Sequence, residues 1–347
     1  MIFYCNSWHN LCMLDIISKK IMYELFRDGQ ATNIAIAHKL DLSVVTVAKK
    51  INAMMKEGII SIKAIPNPVK MGNYASAFMG LNVDTKKIFK IFEKLKQYFN
   101  INMIVMTYGR YDLLILVYFH DWILLENFIK GELPQIEGVY SVNTFFVSEI
   151  DVNYRIRFNN VFDNSDNYKL DEMDVQIILE LMRNGRPQYS KLATKLGTSL
   201  STISRRISAL INEKFISQII AIPNQRLEYL SNAYIVLNVE YSRTDEICKT
   251  LNSYPETHQV MRLMNEYDII MALRLSNQDE LYNFLIDKIH NIEGVLKSEP
   301  LILANFLYFN SAALIYPPTI NLTEAYISNY FSGNMKRGSS RSKIQKG

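Results

Sequence analysis

Cysteine is scarce in this chain, three residues in 347 (Cys5, Cys12 and Cys248), too few and too scattered to suggest a disulfide framework. Long apolar runs are missing too. Stretches such as Leu113–Phe119 are far too short to cross a bilayer. The first fourteen residues lack the basic segment and extended apolar core of a signal peptide, so no membrane association is expected and the cytoplasm is the expected location. No strong charge of either sign is present. The formal net charge is +4 and the pI near 8.7, which permits nucleic-acid binding without requiring it. No Ser-His-Asp set, phosphate loop or pair of catalytic carboxylates can be traced, so no catalytic residue and no cofactor is expected. What is there is 49% hydrophobic and 21% charged, over a length that predicts two or more domains.

The chain matches itself at an offset of 156 positions, Leu14 against Leu170. Arg27-Asp28-Gly29 returns as Arg183-Asn184-Gly185, and Ala37, Leu40, Ser43, Thr46, Ile51 and Glu57 return as Ala193, Leu196, Ser199, Thr202, Ile207 and Glu213. Far downstream Tyr111-Asp112 matches Tyr267-Asp268, and Ile136-Glu137-Gly138-Val139 matches Ile292-Glu293-Gly294-Val295. A fixed register over a whole unit is the mark of duplication and fusion. Residues 152–169, rich in Asn and Asp without a sustained period, read as a linker. Fully extended, they span roughly 60 Å, enough for the copies to pair within one chain.

Each copy opens with three short helical patterns, clearest in copy two. Val175, Ile178, Leu179 and Met182 recur at helical spacing, and Asn184-Gly185 stops that helix. Leu192, Ala193 and Leu196 mark a second helix, Gly197 permits a sharp turn, and Ser199 can cap a third. The third buries Ile203, Ile207, Leu210 and Ile211 and turns outward Ser201, Thr202, Ser204, Arg205 and Ser208, with Arg206 beside them. Small hydroxyls and arginines with almost no acid suit a groove lined by phosphates and base edges. The same pattern also fits a plain helical core with a solvated basic face. Residues 215–222 alternate loosely, as a strand or wing.

The sequence resembles the Lrp/AsnC family of leucine-responsive regulatory proteins. The resemblance is carried by Leu170-Asp171 with Asp174, by Asn184-Gly185-Arg186, by Ser199-Leu200-Ser201-Thr202-Ile203-Ser204-Arg205-Arg206-Ile207 and by Ala221-Ile222-Pro223-Asn224. It implies a helix-turn-helix binding double-stranded DNA, with Ser199, Ser201, Thr202, Ser204, Arg205 and Arg206 at the DNA. In copy one the corresponding residues are Ser43, Thr46, Lys49 and Lys50. Val45 and Ala48 stand there opposite Ser201 and Ser204, and Lys50 opposite Arg206, which predicts that copy two reads sequence while copy one mainly holds phosphate.

The second half of copy one predicts strands at 75–83, 101–107, 113–118 and 139–147 and helices at 86–99 and 123–129. This βαββαβ order is ferredoxin-like; copy two repeats it from 233–239 to 301–306. The expected class is therefore α+β: two tandem units, each a winged helix-turn-helix followed by a ferredoxin-like sensing domain. The expected boundaries are 14–66 and 67–151 for copy one, and 170–222 and 223–316 for copy two. Flanking them are an extension at 1–13 and a basic tail at 317–347, and either Met1 or Met13 fits as the start. The resemblance implies an amino acid or similar effector at Gly109, Tyr111 and Asp112, with Asn265, Tyr267 and Asp268 in copy two. It also implies pairing of the sensing domains, as an intrachain pseudo-dimer or a homo-oligomer. An ordinary hairpin turn without ligand fits the loops as well.

Siroheme decarboxylases are similar in architecture and use a His and an Arg near the second strand. Here His258 and Arg262 have suggestive spacing, but copy one offers Asn102 and Met106, unsuited to that chemistry. Cys5, His9 and Cys12 are three of the four ligands a structural zinc site wants, with no fourth nearby, so no metal is expected.

Overall fold

A computed structural model describes residues 14–152, 156–159, 168–223, 231–275 and 277–315. The expected extension at 1–13, most of the linker and the basic tail fall outside these residues, as do Cys5, His9 and Cys12. Copy one comprises α1 (Ile16–Arg27), α2 (Asn33–Leu40), α3 (Val44–Lys56), β1 (Ile60–Pro66), β2 (Ala75–Val83), α4 (Ile88–Leu95), β3 (Ile101–Tyr108), β4 (Leu113–Phe119), α5 (Trp122–Asn127), β5 (Val139–Val152) and β6 (Ile156–Asn159). Copy two follows with α6 (Glu172–Arg183), α7 (Tyr189–Leu196), α8 (Leu200–Asn212), β7 (Ile216–Pro223), β8 (Ser231–Val239), α9 (Thr244–Ser253), β9 (Thr257–Met264), β10 (Ile269–Leu275), α10 (Gln278–Asn283) and β11 (Val295–Phe309). The class is α+β, as expected.

The chain divides not by copy but by kind. One compact unit takes Met1–Pro66 and Asn167–Glu228, the other Asn67–Asp166 and Tyr229–Gly347. In the first, both three-helix heads share a two-stranded antiparallel ribbon of β1 and β7, with Ile62 opposite Ala221. The strand read as a wing in copy two thus pairs with its counterpart in copy one. Gly29 and Gly185 explain how closely the heads approach. The Gly29 N–H donates to the Ile219 carbonyl and the Gly185 N–H to that of Ile62, both at 2.7 Å. A Cβ on Gly29 would lie 2.7 Å from the Ile219 oxygen, so these glycines serve close backbone approach rather than only stopping a helix. Arg186 reinforces the seam, its guanidinium donating to the carbonyls of Gly29 (2.5 Å) and Ala31.

In the second unit the strand order is β2-β4-β3-β11-β8-β10-β9-β5, and β5 returns to β2. Eight strands therefore close on themselves, with β6 added to the far end of β5. Closure gives the outer strands of both four-stranded sheets a partner, and β6 is left as an edge strand among the described residues. The two four-stranded sheets join where β3 meets β11 and β9 meets β5. Alternation along β2 sends Ala77, Met79 and Leu81 to the helices and Phe78 to the interior. There Phe78 meets its repeat mate Tyr234 edge-on at 5.0 Å, and the Tyr234 hydroxyl donates to the sulfur of Met103.

Three expected spans differ. The helix expected at 86–99 stops at Leu95, because the chain turns so that Tyr98 packs on Phe128 at 5.2 Å. Strands β5 and β11 are longer than expected, since each pairs in its own sheet and continues onto the other copy's.

Candidate nucleic-acid interface and sensing loops

In each head a serine sets the start of the third helix. Ser199 Oγ accepts from the Thr202 N–H at 3.1 Å, and Ser43 Oγ from the Thr46 N–H at 3.0 Å, so these hydroxyls cap their helices. The preceding turn is left-handed in both copies, at Gly197 (φ 66°) and Asp41 (φ 54°), conformations that Gly and Asp tolerate. The buried stripes Ile203, Ile207, Leu210 and Val47, Ile51, Met54 then fix which residues face out. Ser201, Ser204 and Arg205 are exposed on α8, and Val45 and Lys49 on α3, with Thr46, Ala48 and Thr202 half-buried.

Arg206 and Lys50 depart from expectation. Arg206 Nη1 lies 2.7 Å from Asp171 Oδ2 and 2.8 Å from Asp174 Oδ1. Asp174 is buried and also receives the Tyr168 hydroxyl and the Asp171 N–H. Burial pushes the Asp171 carboxyl up, but the Asp174 N–H and Arg206 outweigh it and hold it below the ordinary carboxylate value. In copy one Lys50 pairs with Asp15 at 2.6 Å, and that hydrogen bond, with the Ser18 N–H, lowers the Asp15 carboxyl. Expected at the DNA, Arg206 and Lys50 instead tie the third helix to the cap of the first.

The two loops expected to bind an effector are near-copies of one hairpin. Gly109 (φ 112°) and Asn265 (φ 106°) adopt the same left-handed turn, so asparagine preserves the loop shape. Asp112 and Asp268 are committed to structure. Each carboxylate accepts a backbone N–H, from Val83 at 2.8 Å and from Val239 at 2.9 Å. Tyr111 and Tyr267 are 2% and 1% exposed, with Phe145 beside both rings. Gly80 makes room for Tyr111, since a Cβ there would come within 2.5 Å of the ring. The Tyr111 hydroxyl accepts from Asn143 and the Tyr267 hydroxyl donates to Glu299; burial, and then Glu299, raise the Tyr267 hydroxyl. Of the five side chains expected to touch an effector, Tyr111, Asp112, Tyr267 and Asp268 are thus engaged inside the protein, and the exposed Asn265 amide donates to the Thr144 carbonyl at 3.2 Å.

Comparison with known proteins agrees with both halves. The family model of the AsnC-type helix-turn-helix domain matches residues 170–211. That of a winged helix-turn-helix DNA-binding domain matches 14–61, and that of the Lrp/AsnC ligand binding domain matches twice, at 76–154 and 232–305. An HTH-type transcriptional regulator, FL11 of Pyrococcus furiosus, is 32% identical over 135 residues, 39% of this chain and 89% of its own length. The chain belongs to the Lrp/AsnC family. It is a DNA-binding transcriptional regulator, and each relative corresponds to about one copy. FL11 of Pyrococcus horikoshii is 33% identical over the same shares of both chains.

The siroheme decarboxylase NirDL is similar over 92% of this Lrp/AsnC chain and 99% of its own, with TM-score 0.59 at 15% identity. That likeness extends to the fold alone. Arg262, which the decarboxylase alternative sets beside His258, is held here by Glu149 (3.0 Å) and by Asp245. Sequence reasoning named Asp171 and Asp174 without their role as partners of Arg206, and it missed Tyr168 in the head and Arg110, Asn143, Glu266 and Glu299 at the loops. One signal was available for the loops, because Arg110 and Glu266 occupy the same repeat position with opposite charge.

Proposed function

We propose that this Lrp/AsnC regulator reads its operator with α8 and grips phosphate with α3, acting in the cytoplasm under the control of a small metabolite. One contrast carries the reading. At matched positions copy two presents Ser201, Ser204 and Arg205, whereas copy one presents Val45, Ala48 and Lys49. Arg205 and Lys49 are exposed and make no ion pair among the described residues, so both cations are available to DNA. Arginine can bond guanine bidentately; lysine is a point charge, and valine or alanine offers at most contact with a thymine methyl. Arg205→Ala should therefore lower operator preference over random DNA by about 1–3 kcal/mol, and Lys49→Ala should weaken both alike and flatten the salt dependence. Mobility shifts with both DNAs at several salt concentrations test this, and equal loss on both DNAs in Arg205→Ala would refute it.

The metabolite, an amino acid or similar polar ligand, acts at the paired loops. With Tyr111, Asp112, Tyr267 and Asp268 engaged internally, it meets the outer backbone at Gly109 and Asn265. Open space surrounds Gly109 there. Binding should raise stability by about 2.7 kcal/mol at a hundredfold excess over Kd. A panel of amino acids that leaves the melting temperature unmoved would remove this part of the proposal.

A further inference from the structure

Positions related by the 156-residue repeat come together where the two sensing domains join. Phe146 lies opposite Met264, and their repeat mates Ile302 and Tyr108 lie opposite each other. Two identical domains would place identical residues across this internal two-fold. Here the residues differ, and the differences are complementary. Arg110 and Glu266 are repeat mates, and Arg110 Nη2 lies 2.6 Å from Glu266 Oε1. Asn143 and Glu299 are repeat mates as well. Asn143 donates to the Tyr111 hydroxyl at 3.0 Å, while Glu299 accepts from the Tyr267 hydroxyl at 2.6 Å and lies 3.7 Å from Arg110. Arg110 also donates to the Tyr267 hydroxyl. One domain contributes a cation and a neutral amide, the other two carboxylates.

We propose that Arg110 and Asn143 on one domain, with Glu266 and Glu299 on the other, form a charge code that makes the two sensing domains pair with each other and not with their own kind. A pair of copy-one domains would oppose two guanidinium groups at this place with no carboxylate between them. A pair of copy-two domains would gather Glu266 and Glu299 from both sides, with Lys297, 3.7 Å from Glu299, as the cation at hand. Tethering raises the local concentration of one copy around the other, but it does not reject the same surfaces on a neighbouring chain. Like charges at a contact do reject them, and specificity of this kind is repulsive as much as attractive.

The code can be transferred between full-length chains. R110E/N143E gives both domains the copy-two residues, and E266R/E299N gives both the copy-one residues. Each variant then opposes like with like inside its own chain, while the two variants complement each other reciprocally in trans. Donor- and acceptor-labelled chains are mixed, refolded and read by energy transfer. The variant mixture should form at least about tenfold more mixed pairs than a wild-type mixture, a factor worth about 1.4 kcal/mol. Donor- and acceptor-labelled chains of one variant should stay at the wild-type level, and the quadruple variant should return to it. A variant that folds only when its complement is present supports the code. A variant mixture no richer in mixed pairs than wild type, or not rescued by mixing, overturns it.

Discussion

Replacing Arg206 by alanine separates a stabilising arginine from its neighbour Arg205, which is proposed to face DNA. Arg206 bridges Asp171, whose side chain is half-exposed, and Asp174, whose side chain is 2% exposed. The exposed half of this bridge is worth about 1 kcal/mol or less. Removing the partner of a buried carboxylate costs about 3–5 kcal/mol, but Asp174 keeps the Tyr168 hydroxyl and the Asp171 N–H. A net loss of about 2–4 kcal/mol follows, equivalent to a fall in melting temperature of about 10 °C. Lys50→Ala, which frees only the half-exposed Asp15, should cost about 1 kcal/mol or less. Thermal melts and urea titrations of both variants measure the difference. Below its melting transition, Arg206→Ala should keep the wild-type ratio of operator to random-DNA affinity. An unchanged melt together with a collapsed ratio would refute the structural assignment and return Arg206 to the bases.

Two further outcomes follow from the same geometry. The depressed carboxyls of Asp15 and Asp171 stabilise the folded heads above their unfolded value near 3.9, and that contribution is lost as pH falls through the lower folded values. Acid unfolding of the heads, followed by amide signals of α1 and α6, should therefore begin below about pH 4 and begin at higher pH in Arg206→Ala; identical acid midpoints would contradict the assignment. Gly80→Ala drives a methyl into the Tyr111 ring and should cost about 1–3 kcal/mol, with a changed near-ultraviolet tyrosine signal; a neutral melt would show that the ring yields freely.

The heads were the most legible part of the sequence, because caps, helical periodicity and the repeat all point one way there. Ser199 caps as expected and its repeat mate Ser43 does the same, and Asn265 keeps the turn that Gly109 makes. The partners of the charged side chains were not legible. Arg206 carries no local sign that its charge is spent on Asp171 and Asp174, since that contact joins the third helix to the first. Asp112 and Tyr111 look like ligand groups in sequence, yet one pins a hairpin to the end of β2 and the other fills the closed sheet. The pairing of β1 with β7, and the extension of β5 and β11 across the seam, depend on contacts between residues far apart in the chain, which local patterning does not encode. Arg110 and Glu266 are an exception, since their opposite charges at one repeat position are visible in the sequence.

The inequality proposed for the heads has α8 reading bases and α3 gripping phosphate. Selection of bound sites from a random DNA pool by the full-length protein tests it most directly. The unequal faces predict a site with one sharply defined half and a second half of weak sequence preference. A symmetric palindrome with two equally sharp halves would show that Val45, Ala48 and Lys49 read bases as well as Ser201, Ser204 and Arg205 do, and would contradict the account.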